Sequence, residues 1–189
     1  YEKFKEAGFE VDFAAIKAGD ANTNVDPDSV TEEELAKDKV KAAVLADASV
    51  KAQLASIQPI SAFDGKNYNG IMLVGGFGVM WDFYPNEELG KVCADCYESG
   101  GTIGSVCHGP IGLCAIKLSD GTNLVNGKTV AGFSDAEEAM IGLNAHYPTY
   151  PDGGNSCGTC LANLGGKYEC ADPWNEKAVI DTRVVSGQN

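Results

Sequence analysis

A cysteine and a histidine are adjacent in the segment Gly104-Ser105-Val106-Cys107-His108-Gly109-Pro110. The residues before Cys107 predict a buried strand, and Pro110 suits the start of a helix. A cysteine on a tight turn between the two faces backbone amides and the positive helix end, which favour the nucleophilic thiolate. Gly104 and Gly109 are small enough to let this turn close. The alternative is a buried structural cysteine followed by an unrelated histidine.

A second glycine-rich turn, Gly75-Gly76-Phe77-Gly78, follows the apolar run Ile71-Met72-Leu73-Val74. In a parallel sheet the carboxyl ends of the strands meet at one edge, and ligands bind there. The amides of Gly76 and His108 would then stabilise the oxyanion formed when Cys107 attacks a carbonyl. The alternative for this cluster is a tight turn without a role in binding.

Strands and helices alternate along most of the chain, which indicates an α/β fold with a parallel sheet covered on both faces. The length of 189 residues predicts a single domain over residues 1–189. The run at 71–74 predicts a strand buried on both faces. Helices are predicted at 1–7, at 31–57 with a break near 46–49, at 86–99 and from 110. Strands are predicted at 9–13, 71–74, 102–106, 128–132, 178–181 and 183–186. Loops are predicted at 19–29 and 148–159.

The composition argues against nucleic-acid and membrane partners. Lys and Arg number 14 against 27 Asp and Glu, and the net charge is −13. Such a chain repels phosphate backbones and anionic lipid surfaces. No stretch approaches the ~18 apolar residues that a membrane helix needs.

Seven cysteines are many for this length, and their odd number leaves at least one thiol free, shared with another chain or chemically employed. They are too sparse for a disulfide scaffold, which favours a reducing compartment such as the cytoplasm. Cys93 with Cys96, and Cys157 with Cys160, have the CxxC spacing of zinc or redox sites. We favour unligated thiols and no metal. Export would allow disulfides among Cys157, Cys160 and Cys170.

The second histidine and the two tryptophans have weaker signals. His146 is expected on the surface or in the core, with a place in the substrate pocket as the alternative. Trp81 and Trp174 are expected in the core or at a dimer interface. Trp81 would alternatively form a wall of the pocket.

Taken together, the two turns and several further stretches make the chain similar to the PfpI superfamily, whose fold resembles the core of class I glutamine amidotransferases. More narrowly, it resembles the glutathione-independent glyoxalases (glyoxalase III, D-lactate dehydratase) and their chaperone-like relatives. The resemblance implies a flavodoxin-like three-layer sandwich. The further stretches are Ala7-Gly8-Phe9-Glu10-Val11-Asp12-Phe13, Val25-Asp26-Pro27-Asp28-Ser29-Val30, Met80-Trp81-Asp82, Gly132-Phe133-Ser134-Asp135-Ala136-Glu137-Glu138 and Ser186-Gly187-Gln188-Asn189.

The resemblance implies a lyase that converts methylglyoxal to D-lactate without glutathione, metal or other cofactor. Cys107 would add to the aldehyde as a hemithioacetal, and His108 would be the acid and base. In the family an acidic residue orients this histidine; the position maps onto Glu138, with Glu137 and Asp135 as alternatives. A homodimer is the family expectation.

The resemblance also implies a substrate and oxyanion site formed by Gly76, Phe77 and His108. Relatives usually have histidine where this chain has Phe77. Relatives also begin with a strand and a loop that carries a proton-shuttling glutamate, just upstream of the position of Tyr1, and continue past Gly-Gln-Asn. We therefore expect the printed sequence to lack the first strand of the fold and a C-terminal tail.

Other functional classes remain open at this point. One is a stress-response holdase chaperone, which would expose an apolar patch. A second is a redox sensor in which Cys107 is oxidised without turnover. Protein deglycation is a third possibility among the relatives.

Overall fold

The computed structural model describes residues 1–18 and 30–189. They form two compact units, Tyr1–Ala62 and Phe63–Asn189. The assignment of one domain to the whole chain stays a prediction. The loop predicted at 19–29 lies outside the described residues.

In the first unit, the described residues form four short helices and one pair of short strands. The helices are α1 (Glu2–Glu6), α2 (Glu32–Lys37), α3 (Lys39–Ala46) and α4 (Ala48–Ala55). Strand β1 (Ala14–Ala15) pairs in parallel with β2 (Gln58–Pro59), which leads into a 3₁₀ turn at Ile60–Ala62.

Aspartate caps divide the helical region predicted at 31–57. Asp38 accepts a hydrogen bond from the Lys41 amide at 2.9 Å, and Asp47 accepts from the Ser49 amide at 2.8 Å. Each carboxylate satisfies amides that a helix start leaves without partners, and so begins a new helix. The break expected near 46–49 is confirmed, and a second break lies at Asp38.

The prediction of a strand at 9–13 is wrong, because the strand in this region lies at Ala14–Ala15. The Gln53 side chain takes the place of a neighbouring strand here. Its Oε1 accepts from the Phe13 amide at 2.8 Å, and its Nε2 donates to the Val11 carbonyl at 3.1 Å. The backbone of this segment is therefore bonded to a side chain rather than to a sheet.

The second unit is built on a four-stranded sheet of order β3-β4-β8-β7. Strands β3, β4 and β8 run parallel, and β7 pairs antiparallel with β8. The mainly parallel sheet predicted from the sequence is confirmed. Its strands are β3 (Gly70–Leu73), β4 (Thr102–Val106), β7 (Ala178–Asp181) and β8 (Val184–Gly187).

Four helices, two further strands and three 3₁₀ segments complete this unit. The helices are α5 (Val79–Asp82), α6 (Glu87–Glu98), α7 (Asp135–Ile141) and α8 (Cys157–Asn163). Strands β5 (Thr129–Val130) and β6 (Lys167–Tyr168) pair in parallel, and the 3₁₀ segments are Gly65–Asn67, Gly109–Ala115 and Leu143–His146. None of the described helices is long and apolar enough to cross a membrane.

Two expectations for this unit need correction. The helix expected from Pro110 is a 3₁₀ helix; proline at a helix start suits both types, so the sequence cannot tell them apart. Strand β3 is not buried on both faces. It lies at the end of the sheet order, and Met72 is 41% exposed while Leu73 is 3% exposed.

Candidate active site

Cys107 lies on a strained turn directly after β4. Its φ angle is +62°, a left-handed conformation that costs a non-glycine residue free energy. Two hydrogen bonds hold the turn: the Cys107 amide donates to Gly187 in β8 at 3.1 Å, and its carbonyl accepts from the Phe133 amide at 2.8 Å. Strain maintained in this way is typical of a nucleophile presented at the edge of a sheet.

The two glycine-containing turns of the sequence lie in contact. A Cβ added at Gly75 would be 2.6 Å from the Cys107 Cβ, and one added at Gly109 would be 2.1 Å from the Leu73 carbonyl oxygen. Glycine is therefore required at both positions to let the end of β3 approach the Cys107 turn. Position 104 is less constrained, because an added Cβ there first meets the flexible Met72 side chain, at 2.7 Å.

The amides of Gly76 and His108 both hydrogen-bond the Cys107 sulfur. Burial is the largest influence on the pKa of Cys107 and raises it, with smaller increases from Glu138 and Glu137. The two amides lower it, but burial wins. Burial therefore opposes the effect expected of the turn, which favours the thiolate, and this thiol needs a base to remove its proton.

A base is in contact with the sulfur. Nδ1 of His108 lies 3.4 Å from the Cys107 Sγ, and Nε2 lies 2.6 Å from Oε1 of Glu138. If Glu138 is ionised, Nε2 carries the proton that it donates, which leaves Nδ1 free to accept the thiol proton. His108 is 3% exposed and Glu138 2% exposed, so water competes little for these bonds.

Glu138 is the candidate acid whose carboxylate reaches His108. Burial raises its pKa, while the hydrogen bond with His108 and the nearby Tyr147 hydroxyl oppose that increase. Asp135 lies exposed in the first turn of α7. Glu137 is fully buried but faces other partners.

Four donors surround the Glu137 carboxylate. Oε2 accepts from the Ser134 amide at 2.9 Å and the Ser134 hydroxyl at 2.8 Å, while Oε1 accepts from the Trp174 amide at 2.9 Å and the Asn189 side chain at 2.6 Å. Burial would raise the pKa of Glu137, but the hydrogen bonds from Ser134, Trp174 and Gln188 outweigh it and lower the pKa to about 2. Glu137 therefore stays ionised and ties α7 to two distant segments.

The Glu137→Gln variant is expected to lose about 2 kcal/mol of unfolding free energy at pH 7. Because the folded-state pKa lies below the ordinary value of 4.5, this stabilisation is present above about pH 4.5 and is lost as pH falls towards 2. Urea unfolding of both proteins from pH 7 to 3 measures the effect. A difference in unfolding free energy between the two proteins that stays the same at every pH would contradict this assignment.

Five rings form a continuous row through the site, which we call the aromatic row. Phe77 contacts Trp81 at a centroid distance of 5.0 Å and His108 at 5.4 Å. Phe133 stacks on His108 at 4.4 Å and meets Trp174 at 6.1 Å. Sequence reasoning missed Phe133 and Trp174 at the site; the signal available was the position of Phe133 in the same stretch as Glu138.

The structure also gives the positions of the two tryptophans and of the second histidine. Trp81 and Trp174 are 51% and 52% exposed, so neither is a core residue. Trp81 touches the predicted substrate residue Phe77, in keeping with a pocket wall. His146 is exposed at the end of the 3₁₀ segment that follows α7.

All seven thiols are free, and five of them are buried. Cys157 Sγ lies under the site, 3.7 Å from the His108 carbonyl oxygen. In the described ranges, the structure gathers no group of three or more His, Cys, Asp or Glu side chains able to hold a metal. The two CxxC pairs therefore contribute buried thiols to the helices α6 and α8.

Several solved structures resemble this fold, among them the following two. The Rapid Encystment Protein 24 KDa of Francisella tularensis has a TM-score of 0.81 at 30% identity, over 95% of this chain and 75% of that one. Glyoxalase III from Candida albicans has a TM-score of 0.79 at 24% identity, over 100% and 77% of the two chains. The flavodoxin-like α/β class predicted from the sequence is confirmed.

The sequence comparison agrees. The chain is 27% identical over 200 residues to the glutathione-independent glyoxalase HSP31 of Saccharomyces cerevisiae, covering 100% of this chain and 78% of that protein. It is 28% identical over 199 residues to Glyoxalase 3 of Candida albicans, covering 100% and 79%. The DJ-1/PfpI family matches residues 1–188. With nearly every residue inside that match, the chain belongs to the DJ-1/PfpI family.

Proposed function

We propose that this protein converts methylglyoxal to D-lactate without glutathione, using Cys107 as nucleophile, His108 as acid and base, and Glu138 to orient the imidazole. The observation that carries the proposal is the contact series from Cys107 Sγ to His108 Nδ1, 3.4 Å, and from His108 Nε2 to Glu138 Oε1, 2.6 Å. The names of relatives such as HSP31 supply the reaction class.

The first half of the reaction follows from the site geometry. His108 Nδ1 takes the thiol proton, and the thiolate adds to the aldehyde carbon of methylglyoxal. The resulting oxyanion lies near the amides of Gly76 and His108, which already point at the sulfur. Protonation of this oxygen gives a hemithioacetal bonded to Cys107.

The second half moves hydrogen between the two carbons. A base removes the proton from the former aldehyde carbon, giving an enediol, and a proton returns to the neighbouring carbon to leave a thioester of lactate. Water then cleaves the thioester, releasing lactate and restoring the thiol. His108, oriented by its hydrogen bond with Glu138, is the group we assign to these transfers. The face that receives the proton decides between D- and L-lactate.

The experiment is a product assay in thiol-free buffer. Purified protein is mixed with methylglyoxal, and D-lactate and L-lactate are measured separately with stereospecific dehydrogenases. We expect D-lactate to appear in proportion to the methylglyoxal consumed. Consumption that requires added glutathione, or loss of aldehyde without lactate, would contradict the proposal.

The redox-sensor alternative has less support than the enzyme. Oxidation of a thiol by peroxide is fastest when the thiolate is populated, and burial raises the pKa of Cys107. A buried thiol beside a histidine base is better suited to deprotonation during a catalytic cycle.

We also include the homodimer and the cytoplasmic location in this proposal. Exposed apolar side chains such as Val74 and Ile180, 63% and 75% exposed, are candidates for a contact with a second copy. Sedimentation equilibrium of the purified protein tests the assembly.

A further inference from the structure

The segment after α7 brings a tyrosine to the candidate acid. The 3₁₀ helix Leu143–His146 ends at Tyr147, whose hydroxyl faces the Glu138 carboxylate. The Tyr147 hydroxyl and Glu138 Oε2 are both buried. Neither forms a hydrogen bond of standard geometry with a described residue. Two buried polar atoms without partners therefore lie opposite each other.

The two oxygens of Glu138 have different roles in this arrangement. Oε1 is committed to His108 Nε2 at 2.6 Å. Oε2 is a buried anionic oxygen, and an unsatisfied oxygen of this kind makes ionisation costly. Since the Tyr147 hydroxyl faces the carboxylate, a hydrogen bond between the two would satisfy both atoms.

We propose that Tyr147 is a positioning residue, which donates a hydrogen bond to Glu138 Oε2 and so holds Glu138 ionised and aimed at His108. The inference deepens the proposed function and rests on it for its catalytic consequence. The contact itself is independent of any substrate. It extends the series of Cys107, His108 and Glu138 from three members to four.

Tyr147 is suited to this role because it keeps its proton. Burial raises the pKa of Tyr147, and the neighbouring Glu138 and Asp135 raise it further. The hydroxyl is therefore a donor throughout the range in which Glu138 is ionised.

The other groups facing Glu138 do not replace this donor. Asp135 on the same helix disfavours the Glu138 anion. The thiols of Cys157 and Cys107 are also neighbours of Glu138, but they do not stabilise its anion. Besides His108, Tyr147 is the side chain that favours the ionised form. Removing its hydroxyl should therefore raise the pKa of Glu138.

The test compares Tyr147→Phe with Tyr150→Phe. Both variants keep the ring and lose a buried hydroxyl in the same segment, but the Tyr150 hydroxyl donates to the Met80 carbonyl at 2.6 Å. In ¹⁵N-edited NMR of the imidazoles, Tyr147→Phe should shift the His108 signals. The change that these signals show when Glu138 is protonated at acid pH, the acid-side response, should move to higher pH. Tyr150→Phe should leave that response unchanged, and exposed His146 is an internal reference in the same spectrum.

Kinetics provide the second measurement. With methylglyoxal, Tyr147→Phe should lower kcat roughly tenfold with little change in KM and shift the acid limb of kcat to higher pH. In a Glu138→Gln background, Tyr147→Phe should have little further effect on the His108 signals, because the anion it supports is gone.

The outcomes separate the two proposals. His108 signals that respond to pH in Tyr147→Phe as they do in the parent protein, or an equal change in Tyr150→Phe, would overturn the role of Tyr147 whether or not methylglyoxal is turned over. An inactive wild-type protein whose His108 signals still respond to Tyr147→Phe would overturn the proposed function and keep the contact. If Tyr147→Phe does not fold, an unchanged acid-side response of His108 in Glu138→Gln would overturn the positioning role.

Discussion

The Cys107→Ala variant is expected to lose at least about a thousandfold in kcat/KM for methylglyoxal. The proposed reaction forms and breaks a carbon–sulfur bond, and alanine has no atom to form it. Unfolding free energy should change by less than about 1 kcal/mol, because alanine keeps the same backbone strain and loses one partly buried sulfur. Stereospecific lactate assays and urea unfolding measure the two quantities.

Cys170→Ala is the matched control for this variant. Cys170 is a free and exposed cysteine, so its removal should leave kcat/KM unchanged. Equal activity of Cys107→Ala and the parent protein would exclude the covalent mechanism. A large drop in stability would instead show that the sulfur has a packing role.

The Gly109→Ala variant is expected to lose about 3 kcal/mol or more of unfolding free energy and most of its activity. The added Cβ would lie 2.1 Å from the Leu73 carbonyl oxygen and 2.9 Å from its carbon. These are backbone atoms of β3 and cannot move aside as a side chain would. The end of β3 must separate from the Cys107 turn, which displaces the amides at the sulfur. Urea unfolding and methylglyoxal turnover test both parts.

Gly78→Ala is the control, because it adds the same methyl group to the other glycine turn. An added Cβ at Gly78 meets nothing within 4 Å, and its φ of −57° suits alanine. We expect its stability to remain within about 0.5 kcal/mol of the parent. Similar stabilities for the two variants would show that the close approach at Gly109 relaxes freely.

Local sequence predicted the elements beside the site well. The strand expected at 102–106 is observed at Thr102–Val106, and the helix expected at 86–99 is observed at Glu87–Glu98 with Asn86 as its cap. Glycine, proline and asparagine at their ends have local backbone preferences, so neighbouring residues suffice to place these boundaries. The turn at Cys107 follows from the same information.

Contacts distant in sequence explain what could not be predicted. The segment at 9–13 has the alternating pattern of a strand, yet its backbone bonds Gln53, and nothing near residue 9 announces that partner. Burial of Cys107 likewise depends on the folded surroundings, and it reverses the pKa shift expected from the turn alone. Neither the hydrogen bonds of Gln53 nor the burial of Cys107 can be predicted from the hydrophobic pattern or from local residue preferences.

The choice between Glu137 and Glu138 shows the same limit at the site. The two are chemically identical neighbours, and the resemblance to the family rather than spacing singled out Glu138. The structure separates them through partners on remote segments: Trp174 and Asn189 hold Glu137, while His108 meets Glu138. Tyr147 carried no signal, because its importance lies in a contact that only the folded chain makes.

The aromatic row has an optical consequence. Trp81 and Trp174 are the two tryptophans of the chain, and they stand at opposite ends of the row, with the imidazole of His108 at its centre. Indole emission is sensitive to nearby charge, and a protonated imidazole quenches it. Each tryptophan is thus separated by one phenylalanine ring from the side chain that we assign to proton exchange with Cys107. We expect tryptophan emission to report, without an added label, changes in the charge of this imidazole.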